Sequence, residues 1–455
     1  MGRVVIVGTS LAGLRTAEAL RERGFRGPLT LVGDEEHPPY DRPPLSKQVL
    51  LGLSAPEDTV LPRRRPIDAH WRLGVRAVGL DLADRTVRLA DGERVPYDRL
   101  VIATGVRSRP WPHPEEAALG GVHSLRTREE ARALAAALAA GPRRVLVIGA
   151  GFTGSEIASA CRRRGIPVTV AEQGATPLVG ALGGAVGSVA AGLQRAHGVD
   201  LRVGTRVDRL EGDAGGRVRA VRFADGERVE VDLVVVCLGA VRNTDWLAGS
   251  GVAAGPDGVA CDAGCRAFDI GGVVTDDVFA VGDVARTPHP FFGYQFLSLE
   301  HWGNALAQAE IVAHNMLAGP GERRPHLWVP AFWSLQFGVN VKSVGAPVLG
   351  TEVLIAQGSR ASRCFTAVYG RQGRVIAAVS FDQGRWLPHY TRLIETAAPF
   401  PPPFAMDRGA EGREPLPADF PDPSVPSHDP TVTLSGWSPT DRRLTFTPRA
   451  PWPTH

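Results

Sequence analysis

At 455 residues, with 44% hydrophobic and 22% charged side chains, the chain has the length for two or three domains with real cores and the composition of an ordinary globular protein. A net charge of only +3, without aromatic interleaving of basic runs, argues against nucleic-acid binding, and no apolar run approaches the roughly 20 residues that span a bilayer. The first strand pattern starts at Arg3-Val4 and leaves no room for a signal peptide, so a cytoplasmic chain without membrane attachment is expected.

In chain order, the apolar run Val4-Val5-Ile6-Val7 enters Gly8-Thr9-Ser10-Leu11-Ala12-Gly13 and then a helix pattern. That strand–glycine–helix context makes a dinucleotide fingerprint credible, because the glycines allow a tight turn that brings backbone N–H groups and a helix N-terminus against a pyrophosphate. Ser10 replaces the usual middle glycine; it is small, and its hydroxyl can donate to a phosphate oxygen. Leu29-Thr30-Leu31-Val32 then leads to Asp34, about 20 residues after Gly13, where a carboxylate accepts hydrogen bonds from an adenosine ribose. A proline-broken loop, Pro38-Pro39-Tyr40-Asp41-Arg42-Pro43-Pro44-Leu45-Ser46-Lys47, precedes short strands near 75–80 and 86–89 and the run Arg99-Leu100-Val101-Ile102-Ala103-Thr104-Gly105. An alanine-rich helix pattern over 128–140 leads to a second fingerprint, Gly149-Ala150-Gly151-Phe152-Thr153-Gly154, after Val145-Leu146-Val147-Ile148. Glu172 closes Val168-Thr169-Val170, and neither Arg nor Lys stands in the next five residues to welcome a 2′-phosphate, which favours NADH over NADPH. Taken singly, each acid could be a surface residue at a strand end; two fingerprints with two acids point to two dinucleotides and electron transfer between them.

Strands near 201–203, 218–223 and 231–237 complete the second unit, which ends at Leu238-Gly239. The run Val278-Phe279-Ala280-Val281-Gly282-Asp283 then returns to the first unit. The expected fold class is α/β: two Rossmann-like dinucleotide-binding domains followed by a small α+β domain. The first domain is expected to be discontinuous, over 1–115 and 246–325, with the second, over 116–245, inserted into it. Strand patterns at 332–337, 353–355, 365–369 and 375–381 and a helix pattern at 388–396 make up the C-terminal domain over 326–399. Prolines crowd 400–455 with little periodicity, so this tail is expected to be mostly disordered or draped over the surface. Arginines cluster at 63–65, 143–144 and 162–164. Each cluster alone reads as a solvated face; together they could form a field that steers an acidic partner.

The five cysteines, Cys161, Cys237, Cys261, Cys265 and Cys364, include no CxxC or CxxxxC, and none lies between residues 14 and 60, where a redox dithiol is kept in disulfide reductases of this layout. They read as structural, with no metal site, so a flavin must hand its electrons directly to an acceptor.

The two fingerprints together with Pro39-Tyr40-Asp41-Arg42-Pro43-Pro44-Leu45-Ser46-Lys47, Ala103-Thr104-Gly105, Phe279-Ala280-Val281-Gly282-Asp283, Glu300-His301-Trp302-Gly303-Asn304-Ala305 and Phe332-Trp333-Ser334 resemble the oxygenase-coupled ferredoxin reductases, the putidaredoxin-reductase and biphenyl-dioxygenase-reductase type of flavoprotein. The resemblance covers about residues 3–398, and its YDRPPLSK loop is far more specific than either glycine motif. It implies one FAD, NADH as donor and a ferredoxin, a small iron–sulfur protein, as acceptor feeding a cytochrome P450 or ring-hydroxylating dioxygenase. A flavin suits that task because it takes two electrons and releases them singly.

The resemblance places Lys47 beside the flavin ring, paired with Glu156 of the NADH helix, as the catalytic pair; outside that context a loop lysine is usually solvated. It implies FAD contacts from Gly8, Ser10, Ala12, Gly13, Asp34, Arg42, Lys47, Ala77, Ala103, Thr104, Gly105, Arg126, Gly282, Asp283 and Trp302. NADH contacts are implied for Gly149, Gly151, Phe152, Thr153, Gly154, Glu172 and Gly239. Asp283 would bind the ribityl chain, or else cap a helix; Trp302 would open a helix aimed at the ring, or else be a core aromatic; Arg42 would reach the FAD phosphates, or else brace its own loop. Two departures stand out: Leu335 replaces an acid often found after Phe-Trp-Ser, putting acceptor identity in doubt, and Phe152 replaces a tyrosine. Competing functions are a reductase for rubredoxin, a quinone or dioxygen, and a flavin-bearing interaction protein like the apoptosis-inducing-factor relatives.

Overall fold

The computed structural model describes residues 2–402, 414–421, 431–435 and 443–447. Two mostly parallel sheets dominate it. The first has six strands in the order Arg266–Phe268, Val274–Ala280, Arg99–Ile102, Val4–Val7, Leu29–Val32, His70–Arg72. Its central strand Val4–Val7 is buried on both faces, hence an uninterrupted apolar run, and pairs in parallel with Leu29–Val32 and Arg99–Ile102. The second sheet runs Asp200–Val203, Val168–Glu172, Val145–Ile148, Leu233–Val236, Val122–His123, again centred on a fully buried strand. In both sheets the glycine turn leaves the carboxyl end of the central strand, the edge where open α/β sheets bind ligands.

The chain crosses between the sheets twice, and the two crossings are zipped together: Val106–Ser108 pairs antiparallel with Ala240–Arg242. Just before them, Thr104 and Asn243 exchange two side-chain-to-backbone hydrogen bonds of 2.8 Å. Loop residues Tyr40, Leu45, Val49 and Leu50 share a core cluster with Ile157 and Ala158 of the second unit, so the proline-rich loop belongs to the junction and not to solvent. His70–Arg72, which extends the first sheet, and Val339–Gly345, which joins the C-terminal sheet, escape the sequence reading because both are short or half-polar.

The C-terminal sheet is antiparallel, and its outermost strand is tail sequence: Leu416–Pro417 pairs with Glu352–Ser359. Beyond it, Ala418 is buried, and the Gly184 N–H donates to the Asp419 carbonyl at 2.8 Å. This part of the tail is therefore draped, strapping the C-terminal sheet to the helix Val179–Ala196. The segments Thr431–Ser435 and Arg443–Thr447 form an antiparallel pair that the expectation of little periodicity missed, although both alternate polar and apolar residues. The rest of the tail lies outside the described residues.

Gly183 makes the strap possible. Its φ is +72°, and a Cβ there would lie 2.0 Å from the Ala418 carbonyl oxygen. Gly183→Val is expected to release residues 416–420 and lower stability by about 2 kcal/mol. Thermal unfolding and limited proteolysis of the tail check this; an unchanged melt with a protected tail would show that the strap carries no energy.

Candidate functional site

The two glycine turns are shaped alike. At Gly8 (φ +114°) a Cβ would sit 2.1 Å from the Ala103 carbonyl oxygen, and at Gly149 (φ +100°) 2.3 Å from the Cys237 carbonyl oxygen. Gly13 and Gly154 in turn press against the carbonyls of Gly8 and Gly149 at 1.9 and 2.0 Å by the same measure. These four glycines are demanded by close packing. Gly151 differs: a Cβ there would meet nothing within 4 Å, so the turn is open to solvent at this N-cap of the helix Phe152–Arg163. Ser10 holds the matching position, and its side chain makes no capping bond to its own helix. Both turns thus fit a pyrophosphate against a helix N-terminus. Thr153 lies in the first turn of the second helix, Ala12 is packed under the first, and Ala103 and Gly105 close the strand opposite Gly8.

Around the first turn, acids and arginines interlock. Asp34 is exposed. Its neighbour Glu35, which the sequence reading passed over, binds the Arg42 guanidinium and accepts from the Tyr40 hydroxyl. Arg42 also donates to the Arg126 carbonyl at 2.7 Å, and Arg126 pairs with Asp283 at 2.9 Å. Asp283 sits on the tight turn Gly282–Val284 after Val274–Ala280, and the Gly282 N–H is held by Gln308 at 2.8 Å. Ala77 is buried beside these strands in the core shared with Val7 and Val32.

The two units meet at Glu156. Its carboxylate accepts from Lys47 Nζ at 2.7 Å, from the Ser46 hydroxyl, and from the Ser334 hydroxyl at 2.6 Å. One buried carboxylate therefore joins the proline-rich loop, the helix of the second turn and the C-terminal sheet. Lys47 gets its direction from the turn Leu45–Val49, wound as a π-helix after two prolines, and its ammonium also reaches the Pro43 carbonyl at 3.2 Å. Ser46 and Ser334 were not singled out from sequence, since nothing about an isolated serine announces a distant partner.

Aromatic side chains wall this junction. Phe152 packs on Phe332 with centroids 4.6 Å apart, and His301 on the same Phe332 at 5.5 Å. Burial pulls His301 down to about 4, so its ring is neutral at pH 7, and its Nδ1 is buried with no hydrogen-bond partner among the described residues. Trp302 opens the helix Trp302–Leu317, whose N-cap supplies no side-chain bond, and its indole N–H donates to Asp41 at 2.9 Å. Free N–H groups at that helix end favour an electron-rich acceptor in front of them. Trp302 also meets Trp333 edge-on at 6.1 Å. Leu335 does not face the junction: Ser334 points in, whereas Trp333 and Leu335 are exposed on the other face of the strand.

Beside the second glycine turn opens a cleft lined by Gly149, Trp111, Glu172, Gln173, Arg206 and Asp208. Glu172 accepts N–H bonds from Ala150 at 2.7 Å and Gly174 at 2.6 Å, which fixes its carboxylate beside the turn. Gly239, with φ +87°, begins the return crossing nearby. All five thiols are free, and burial pushes Cys161 and Cys237 up to about 12, so neither is poised as a thiolate. Of the arginine clusters, the one at 162–164 touches the junction loop: Arg164 donates to the Leu50 carbonyl at 2.7 Å. Arg143 pairs with Asp232 at 3.0 Å ahead of Val145–Ile148, and Arg162 and Arg163 close the helix whose other end faces the nucleotide turn.

The comparisons with known proteins agree with this geometry. Residues 2–309 match the pyridine nucleotide-disulphide oxidoreductase family and 331–415 a reductase C-terminal domain. The chain is 38% identical to a probable ferredoxin reductase, CtmF, of Castellaniella defragrans over 84% of this chain and 90% of that relative. It is 34% identical to the biphenyl dioxygenase system ferredoxin–NAD(+) reductase component of Paraburkholderia xenovorans, over 91% and 98% of the two chains. Among solved structures, the covalent putidaredoxin reductase–putidaredoxin complex superposes with a TM-score of 0.80 at 30% identity, covering 87% of this chain and 94% of that one. With one family model spanning most of its length and the C-terminal model following it, the chain belongs to the pyridine nucleotide-disulphide oxidoreductases, among their ferredoxin reductases.

Proposed function

We propose that this protein is an NADH-dependent ferredoxin reductase that holds one FAD in the unit formed by 1–115 and 246–325 and binds NADH in the unit formed by 116–245. The observation that carries the proposal is the Glu156 junction, which joins the proline-rich loop through Lys47 to the helix of the second glycine turn and to the C-terminal sheet. When bound, the flavin supplies the conversion of a two-electron hydride into single electrons. The chain's own residues do the rest. Gly8, Ser10 and Gly13 cradle one pyrophosphate, Gly149, Gly151 and Gly154 the other. Asp283 and Arg126 orient the ribityl side. Glu156 keeps the Lys47 ammonium in place, and Phe152, Phe332 and His301 exclude water where donor and acceptor rings meet.

The acceptor side is argued from exposure. Trp333, which meets Trp302, and Leu335 on the same strand face are 48% and 39% exposed, and Lys342 stands opposite Trp333 in register. An apolar patch with a cation at its side suits the rim of a small acidic iron–sulfur protein. Leu335 in place of an acid removes a charge that would repel such a partner.

The purified protein is expected to be yellow, with about one non-covalent FAD per chain, and to reduce a ferredoxin with NADH. Ferredoxin reduction should slow as salt screens charges beyond about 8 Å, whereas reduction of the flavin by NADH should change far less. A folded, colourless protein that takes up no FAD, or equal salt sensitivity of both half-reactions, would overturn this reading.

A further inference from the structure

We infer that Asp208 is a specificity-determining residue: by engaging Arg206 at the rim of the second adenosine cleft, it withholds from a 2′-phosphate the guanidinium that would otherwise bind it. The inference rests on the nucleotide-site reading above and adds to it a second carboxylate and a cation that lie far from Glu172 in sequence.

Backbone hydrogen bonds bring the parts together. The Thr205 N–H donates to the Glu172 carbonyl at 3.1 Å and the Gly204 N–H to the Gly174 carbonyl at 2.9 Å. The loop carrying Arg206 therefore runs directly alongside the strand end that carries Glu172. Arg206, Asp208, Glu172 and Gln173 line one cleft of about 410 Å³. Arg206 Nη2 lies 3.3 Å from Asp208 Oδ1, with the two side chains 63% and 46% exposed.

An arginine in such a place would normally welcome NADPH, since its planar fork matches two phosphate oxygens. Here the rim carries two carboxylates against one guanidinium and is net negative. A 2′-phosphate brings close to two further negative charges at neutral pH. A ribose 2′-hydroxyl brings none and can donate to Glu172, whose carboxylate two backbone N–H groups already hold in place. The Arg206–Asp208 pair is too exposed to contribute much to stability, so removing Asp208 should leave the fold intact while freeing the fork.

The test uses the holoprotein with 5′-AMP and 2′,5′-ADP as probes, their affinities measured by calorimetry. Asp208→Asn is expected to tighten 2′,5′-ADP about fivefold or more while 5′-AMP stays within about twofold. Flavin reduction by NADPH relative to NADH should rise by a similar factor. The double variant R206A/D208N should lose the gain, because the gain runs through Arg206. An unchanged affinity ratio in Asp208→Asn, or a gain that survives without Arg206, overturns the inference. If the wild type binds neither probe, the nucleotide-site reading falls with it; if it binds 5′-AMP normally and only the variants fail to discriminate, that reading stands and this one does not.

Discussion

Lys47→Ala is expected to slow reduction of the bound flavin by NADH about tenfold to a hundredfold, at low and high salt alike. The size follows from the bond removed: a hydrogen bond to a charged group contributes ~1.5–3 kcal/mol, which at a transition state is one to two decades in rate. Lys47 reaches Glu156 at 2.7 Å, and these side chains are only 15% and 7% exposed, so salt cannot screen the pair as it would a surface bridge. Stability should fall too, since a buried carboxylate losing its partner costs about 3–5 kcal/mol. Two serine hydroxyls still donate to Glu156, which places the cost at the lower end. Lys47→Arg, which keeps the charge, should recover part of the rate. Stopped-flow flavin bleaching and thermal unfolding read the two effects separately. A Lys47→Ala protein that melts early yet reduces its flavin at the normal rate would confine Lys47 to a structural role.

Asp283→Leu is expected to yield protein purified with less than about a tenth of its flavin. The carboxylate is mostly buried, pairs with Arg126 at 2.9 Å, and sits on a turn that Gly282 allows by adopting φ +79°. Its loss removes the charge-assisted bonds that the proposed site offers to the ribityl chain and leaves Arg126 partly buried without its acid, each change worth about 1.5–3 kcal/mol. Asp283→Asn, of the same shape but neutral, should hold an intermediate amount. The ratio of visible to protein absorbance after gel filtration measures this. Full flavin occupancy in Asp283→Leu would remove Asp283 from the site.

How far the site could be read in advance depended on the range of the interaction. Lys47 and Glu156 came together because a specific loop motif and a helix motif implied them. Ser334, 178 positions from Glu156, is a third partner of the same carboxylate, and the Phe-Trp-Ser motif that holds it gave no sign of that partner. Adjacent acids posed another limit. Spacing pointed to Asp34, which is exposed, while its neighbour Glu35 engages Arg42, a division of roles that only the twist of the turn sets. The arginine clusters show a related limit: charge is visible in a sequence, but the face it occupies is not.

The tail shows the same division. Its proline content pointed to a disordered or draped segment, but not to Leu416–Pro417 completing a sheet or to Ala418 being buried against Gly183. By itself the sequence determined the two strand–glycine–helix turns, because their requirements are local: an apolar run buried on both faces, then positions where a side chain cannot fit. Only the tertiary structure decided which residues face one another across the junction. The Glu156 contact to Ser334, the place of Arg206 beside Glu172, and the outward face of Leu335 depend on how separate elements pack. Such packing is set by summed burial over whole surfaces and not by the chemistry of any single motif.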